Sequence, residues 1–269
     1  MNKTTRILTI LAVMPMLASC GKTLTRAEAI DNLNKSAEHV ESSSYKAPTK
    51  LTFSATTTDE DGSDVNEIAF DADAHYLSIY EKSGSEGDYS VYFQEGDKAY
   101  LVEADDKNYT NGTYTVIPSV SRIDAAIKEI YGANAGSAFL RTLATELKAM
   151  GEQAESQEAS ATASVEGLTI AKNTFKENYT SSGEGNLSIE FLLDYDATYK
   201  GSLLGTETTT RTVLYMSTKV TMDDFKPKSV KAESKFDLLG LKGEEKSEMT
   251  YNWGSCNIAK PDISKLKAK

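Results

Sequence analysis

Residues 189–195 read IEFLLDY, and the alternation in this stretch decides the fold class. Successive side chains of a β-strand point to opposite sides, so apolar residues at every second position share one face. Here those residues are Ile189, Phe191, Leu193 and Tyr195. The same two-residue period covers about residues 49–117 and resumes from about 165, with Gly- and Asp-rich turn signals between the runs, such as Asn111-Gly112. The sequence therefore predicts two sets of antiparallel strands.

Two regions have helical spacing instead. Thr25 and Glu28 form a capping box, and apolar residues then recur at steps of three and four, which predicts an amphipathic helix over residues 25–42. A helical insertion is predicted at about residues 119–158, with Gly132 as a stop between its two apolar stripes. After Gly151 the pattern weakens, which leaves either a frayed helix end or a loop. The order helix, strands, helices, strands is an α+β pattern, and residues 20–269 form one predicted domain.

The composition excludes several classes of function. The chain of 269 residues has a formal net charge of −11, which argues against binding to nucleic acid or to anionic lipid headgroups through a basic surface. We find no Walker loop, dinucleotide-binding turn, nucleophile elbow or zinc-protease motif, and therefore expect no enzyme activity and no cofactor.

The first twenty residues have the pattern of an export signal. Lys3 and Arg6 give a positive start, an apolar run from Ile7 to Leu17 follows, and small residues precede Cys20. The run is shorter than the ~20 apolar residues that span a bilayer. The stretch Leu17-Ala18-Ser19-Cys20 resembles the lipobox of bacterial lipoproteins at all four positions. This resemblance implies a signal peptide over residues 1–19, a lipid on the sulfur of Cys20, and a location outside the cytoplasm on the cell membrane or outer membrane.

The layout of the mature chain resembles the LolA/LolB and LppX-type lipoprotein superfamily. The end of the chain is similar too, from the strand at Tyr251-Asn252-Trp253-Gly254 to the tail Ile258–Asp262. The resemblance implies a curved antiparallel sheet, a half-open β-barrel, whose concave face is covered by the N-terminal helix and the central insertion. Members of this superfamily carry or sense acyl chains in that cavity.

Two functions follow as hypotheses. The first is a membrane-anchored lipoprotein that binds an acyl chain or another apolar ligand. Its candidate lining consists of Phe53, Phe70, Ile79, Phe93, Phe191, Leu193, Tyr215 and Trp253. The alternative is a structural or interaction lipoprotein of the cell envelope, in which the same residues pack against the helices. Exposed tyrosines would serve that role, and the candidates are Tyr76, Tyr80, Tyr92 and Tyr100.

Other candidate sites have simpler explanations. The acidic run Asp59–Asp64 lacks the carboxylate that a calcium-binding EF-hand loop needs at its twelfth position, so a solvated turn explains it better. Asp71, Asp73 and His75 alternate along one predicted strand, yet an outer sheet face explains them without a metal. With Cys20 acylated, Cys256 is the remaining thiol, and we expect a structural thiol rather than a nucleophile.

Overall fold

A computed structural model describes residues 22–161, 166–203, 206–238 and 241–269. The predicted signal segment and Cys20 therefore lie outside the described residues. Within them, thirteen strands form one curved sheet that is not closed into a barrel. The strands are β1 (Lys22–Leu24), β2 (Lys50–Thr58), β3 (Ser63–Asp71), β4 (Tyr76–Ser83), β5 (Glu86–Glu95), β6 (Lys98–Ala104), β7 (Thr113–Ile117), β8 (Leu168–Gly183), β9 (Asn186–Leu203), β10 (Thr206–Asp223), β11 (Lys226–Leu238), β12 (Leu241–Trp253) and β13 (Lys267–Ala268).

The sheet consists of two antiparallel meanders joined side by side. Strands β2 to β7 form one meander and β8 to β12 form the other, and β12 pairs with β2 to connect them. The short β1 lies at one edge beside β8, and β13 lies at the other edge, parallel to β7. The prediction of an α+β fold built on antiparallel strands is confirmed.

The helices also follow the predicted pattern. Helix α1 spans Arg26–Glu41, and both hydrogen bonds of the Thr25–Glu28 capping box are present. The insertion contains α2 (Ser121–Tyr131) and α3 (Ala133–Ala161), with Gly132 between them. The segment after Gly151, predicted as either a helix end or a loop, is helical, since α3 continues for ten more residues.

The helices pack on one side of the sheet, which we call the helix face. Helices α1 and α3 lie together over β8–β11, where Leu33, Leu140 and Ile189 are fully buried. Helix α2 lies over β2–β4, where Ile123 packs with Phe70. We call the other side the opposite face. Under β4–β7 this face has its own core, covered by the tail residues Cys256, Ile263 and Leu266.

Candidate functional site

The predicted ligand lining does not form one cavity. Phe70 is fully buried, and Phe53, Ile79 and Trp253 are partly buried in the core beneath α2. The Trp253 ring lies 4.3 Å from that of Tyr131, and its indole Nε1 donates a 2.7 Å hydrogen bond to the carbonyl of Pro227. These four side chains are therefore occupied by packing within the domain.

The other four predicted lining residues lie on both sides of the sheet. Phe191 packs against the α1–α3 core, and Leu193 follows it on the helix face. Phe93 is fully buried, but it belongs to the core on the opposite face. Tyr215 also points to the opposite face, because it alternates with Val220 and Met222, which face the helices. Phe93 and Tyr215 therefore cannot share a cavity with the other six.

The expectation of exposed tyrosines on β4–β6 is wrong. Tyr76 is 1% exposed, and the other three tyrosines of that set are partly buried. Tyr76, Tyr80 and Tyr100 belong to the opposite-face core, where the C-terminal tail covers β4–β7, and Tyr92 belongs to the core beneath α2. The sequence pattern did not show that the tail folds back over these strands.

A different apolar surface is exposed on the helix face. The distal parts of β8–β12 extend beyond α1, and we call them the wing: residues 168–177, 191–203, 206–218, 232–238 and 241–247. Eight large apolar side chains among the described residues are at least 37% exposed, and six of them lie on the helix face of the wing. We call these six the apolar wing surface: Ile170, Tyr199, Met216, Phe236, Leu238 and Leu241.

The cross-strand register brings these side chains close together. Phe236 is directly opposite Leu214, and Met216 is opposite Leu193, so the surface is continuous with half-buried residues of β9 and β10. At the end of the hairpin Leu238 pairs with Leu241, which is 73% exposed. The surface also continues inward, because Leu193 follows Phe191 of the α1–α3 core.

The opposite face of the same strands is charged and ion-paired. Lys172 is 3.1 Å from Asp194, Arg211 is 2.7 Å from Asp196, and further lysine–carboxylate pairs join β11 to β12. The Arg211 guanidinium holds the pKa of Asp196 below its ordinary value. Exposed ion pairs add little stability. Their effect is to give the wing one hydrated face and one apolar face.

The lengths of the elements explain why this surface is uncovered. Strand β9 has 18 residues and extends about 59 Å, whereas the 16 residues of α1 extend only about 24 Å. Strand β9 therefore extends well beyond the length that α1 can cover.

Two open grooves of about 650 Å³ each lie against the strands of the wing and its neighbours. One is lined by serine, threonine, lysine and glutamate side chains, including Ser217, Lys219 and Lys231 on the opposite face. The other borders β8–β10 and shares Ser217 and Lys219 with the first. Lys219 pairs with Glu190 and Lys231 pairs with Glu248, so the first groove presents an ion-paired polar surface. The second groove also contains the apolar side chains of Phe175 and Phe191.

The other polar residues considered as candidate sites make contacts within the domain. The Asp71 carboxylate is 2.8 Å from the Lys50 ammonium, and His75 Nδ1 is 2.8 Å from an Asp124 oxygen. Burial, with Asp71 nearby, raises the pKa of the Cys256 thiol to about 11. At neutral pH this thiol is protonated, which makes it a poor nucleophile. Among the described residues no group of histidine, cysteine and acidic side chains is placed to hold a metal ion.

No family model and no curated protein matches this chain. Within the part of the chain that the structure describes, no helix is long and apolar enough to cross a membrane.

None of the six residues of the apolar wing surface is among the ligand contacts predicted from the sequence. A usable signal was present. The apolar alternation of β9–β11 continues for more residues than the neighbouring helices can cover. Comparing the lengths of strands and helices would have pointed to an uncovered end of the sheet.

Proposed function

We propose that this protein is a lipoprotein of the bacterial envelope, anchored by a lipid on Cys20, that binds an acyl chain or another apolar ligand on the apolar wing surface. The observation that supports this most directly is the two-faced wing, with six exposed apolar side chains on one face and ion pairs on the other. Exposed apolar patches of this kind mark sites of interaction with ligands, proteins or membranes.

An uncharged row along β9 and β10 favours an apolar ligand. On the helix face of the wing, the side chains opposite one another along β9 and β10 are Leu193 with Met216, Tyr195 with Leu214, and Ala197 with Thr212. From Leu193 to Tyr199 this row extends about 20 Å. In this proposal the sheet is a half-open barrel, with the helices at one end of its concave side and the ligand at the other end. The curved, unclosed sheet is consistent with that arrangement.

The expected affinity follows from the openness of the surface. A fully buried CH₂ group contributes ~0.8 kcal/mol, so a chain that rests on an open face gains about half of that for each group. For about fourteen CH₂ groups this amounts to about 6 kcal/mol, a dissociation constant of tens of micromolar. Such a site would exchange its ligand readily.

The anchor is supported by the sequence, in which Leu17-Ala18-Ser19-Cys20 matches the lipobox of bacterial lipoproteins at all four positions. Replacing Cys20 with serine should move the protein from the membrane fraction to the soluble fraction of host cells. Equal membrane association of the Cys20→Ser variant would contradict the anchor.

Ligand binding is tested with the mature chain carrying Cys20→Ser, stripped of lipid and titrated with a fluorescent fatty acid. We expect Phe236→Gln to weaken binding about tenfold, because it removes about 1.4 kcal/mol of apolar contact. Tyr215→Gln, on the opposite face of the adjacent strand, is the matched control and should bind like the parent. No uptake by the parent, together with no lipid in mass spectra of purified protein, would overturn the proposal.

The alternative is an interaction lipoprotein without a small ligand. The filled cores beneath α1 and α2, where Leu33 and Phe70 are fully buried, favour this function over an enclosed carrier cavity. The same titration separates the two, since a protein that docks only other proteins takes up no fatty acid.

A further inference from the structure

The two edges of the sheet differ. At the β7 edge the C-terminal tail covers the start of the strand: β13 lies parallel to β7 at Thr113 and Tyr114, and the Lys269 N–H donates to the carbonyl of Tyr114. At the β8 edge, β1 pairs only with residues 179–181 of a 16-residue strand. Among the described strands none pairs with the outer side of residues 172–178. This segment, which we call the β8 edge, therefore presents seven residues of strand backbone.

An open strand edge is a template for another strand, because every second residue directs its N–H and C=O groups outward. The protein already uses this template, since β1 is an added strand on the same side of β8. The β8 edge is regular from Lys172 onward, and a bulge at Ile170–Lys172 ends the regular register on its other side. A segment of about seven residues in an extended conformation matches the space between the bulge and β1.

The side chains of the β8 edge determine which residue types a complementary segment needs. Lys172 and Lys176 are exposed on the opposite face, and Lys172 pairs with Asp194 of β9. Phe175 is partly exposed on the helix face, where it is opposite Leu193. A complementary strand has acidic side chains on the lysine side and apolar side chains on the phenylalanine side. Its sequence therefore alternates between acidic and apolar residues.

A second copy of this chain offers no charge complementarity at the β8 edge. Two β8 edges related by a two-fold axis pair only residues that point to the same face. Lys172 and Lys176 point to one face and Glu177 to the other, so no register sets a lysine opposite a glutamate. A register centred on Thr174 sets Lys172 against Lys176, which is unfavourable.

We propose that the β8 edge binds an extended segment of another protein, with alternating acidic and apolar residues, as an added β-strand. This is the strand-addition mode of peptide recognition, in which backbone hydrogen bonds supply affinity and alternate side chains supply specificity. The inference does not depend on the lipid anchor or on fatty-acid binding.

The test uses two synthetic ten-residue peptides, one alternating valine with glutamate and one alternating valine with lysine. Both carry a fluorescent label, and their binding to the mature Cys20→Ser chain is followed by anisotropy. We expect the glutamate peptide to bind at least tenfold more tightly than the lysine peptide. The double variant Lys172→Glu/Lys176→Glu should reverse this preference. The matched control Lys98→Glu/Lys128→Glu makes the same change in net charge on β6 and α2 and should leave it unaltered.

Hydrogen exchange locates the peptide. On adding the glutamate peptide, amides within residues 172–178 should gain protection, and those of the β7 edge should not. Equal binding of both peptides, protection elsewhere, or equal effects of the two double variants would overturn the proposal. Self-association of the parent that is lost in Lys172→Glu/Lys176→Glu would instead assign the edge to a second copy. A parent that binds fatty acid but neither peptide would refute strand addition alone.

Discussion

Replacing Leu147 and Leu241 separately with alanine distinguishes the packed part of the helix face from the wing. Leu147 is 2% exposed between α1 and α3, and a buried leucine-to-alanine change costs ~2–5 kcal/mol because it leaves a cavity. Leu241 is 73% exposed, so about a quarter of its surface is buried. A quarter of the ~1.5–3 kcal/mol for full burial is about 0.5 kcal/mol. We therefore expect at least a fourfold difference between the two losses of stability.

The measurement is urea unfolding of the mature Cys20→Ser chain, followed by the fluorescence of its single tryptophan and by circular dichroism. The two probes should give coincident transitions, and the shift of the midpoint multiplied by the slope gives the change in free energy of unfolding. A loss of about 2 kcal/mol or more for Leu241→Ala would show that the wing is covered in solution. That result would refute the exposed apolar surface and the function proposed for it.

Three further predictions concern single contacts. Trp253→Phe should lower the free energy of unfolding by about 1 kcal/mol, measured by circular dichroism, because it removes the indole hydrogen bond. A hydrogen bond from the Thr25 backbone N–H and the nearby Lys22 ammonium lower the pKa of Glu28 to about 2. The ionised Glu28 carboxylate therefore stabilises the fold fully above its ordinary pKa, and this stabilisation is lost as the pH falls towards 2. NMR titration of the carboxyl group should show the low pKa. In a chain where Cys256 is the sole thiol, alkylation should increase with pH towards a midpoint near 11, and Asp71→Asn should lower that midpoint.

Local sequence patterns predicted the elements of this fold well. The capping box located the start of α1, and the alternation in β9 correctly grouped Ile189 and Phe191 on one face of the strand. Both signals come from residues close together in the chain, since hydrogen bonding at a helix end and strand periodicity are local properties.

Local patterns could not predict on which face of the sheet a side chain lies, because that depends on packing between distant parts of the chain. Alternation shows that Phe93 and Tyr215 share a face with their strand neighbours, but it does not say which face the helices cover. The same limit applies to Tyr76, which is buried because a tail about 180 residues later packs over it. Only the pairing of distant strands, such as β12 with β2, fixes these sides.

The attachment of β1 to β8 determines the distance between the N-terminal strand and the apolar wing surface. Lys22 is opposite Ser181, and Ile170 lies eleven residues farther along the same strand, about 36 Å away. If Cys20 carries the proposed lipid, the apolar wing surface reaches about 40 Å from the anchor, a distance similar to the full thickness of a bilayer. Under the same proposal, the apolar wing surfaces of two anchored molecules can meet whenever their anchors are less than about 80 Å apart.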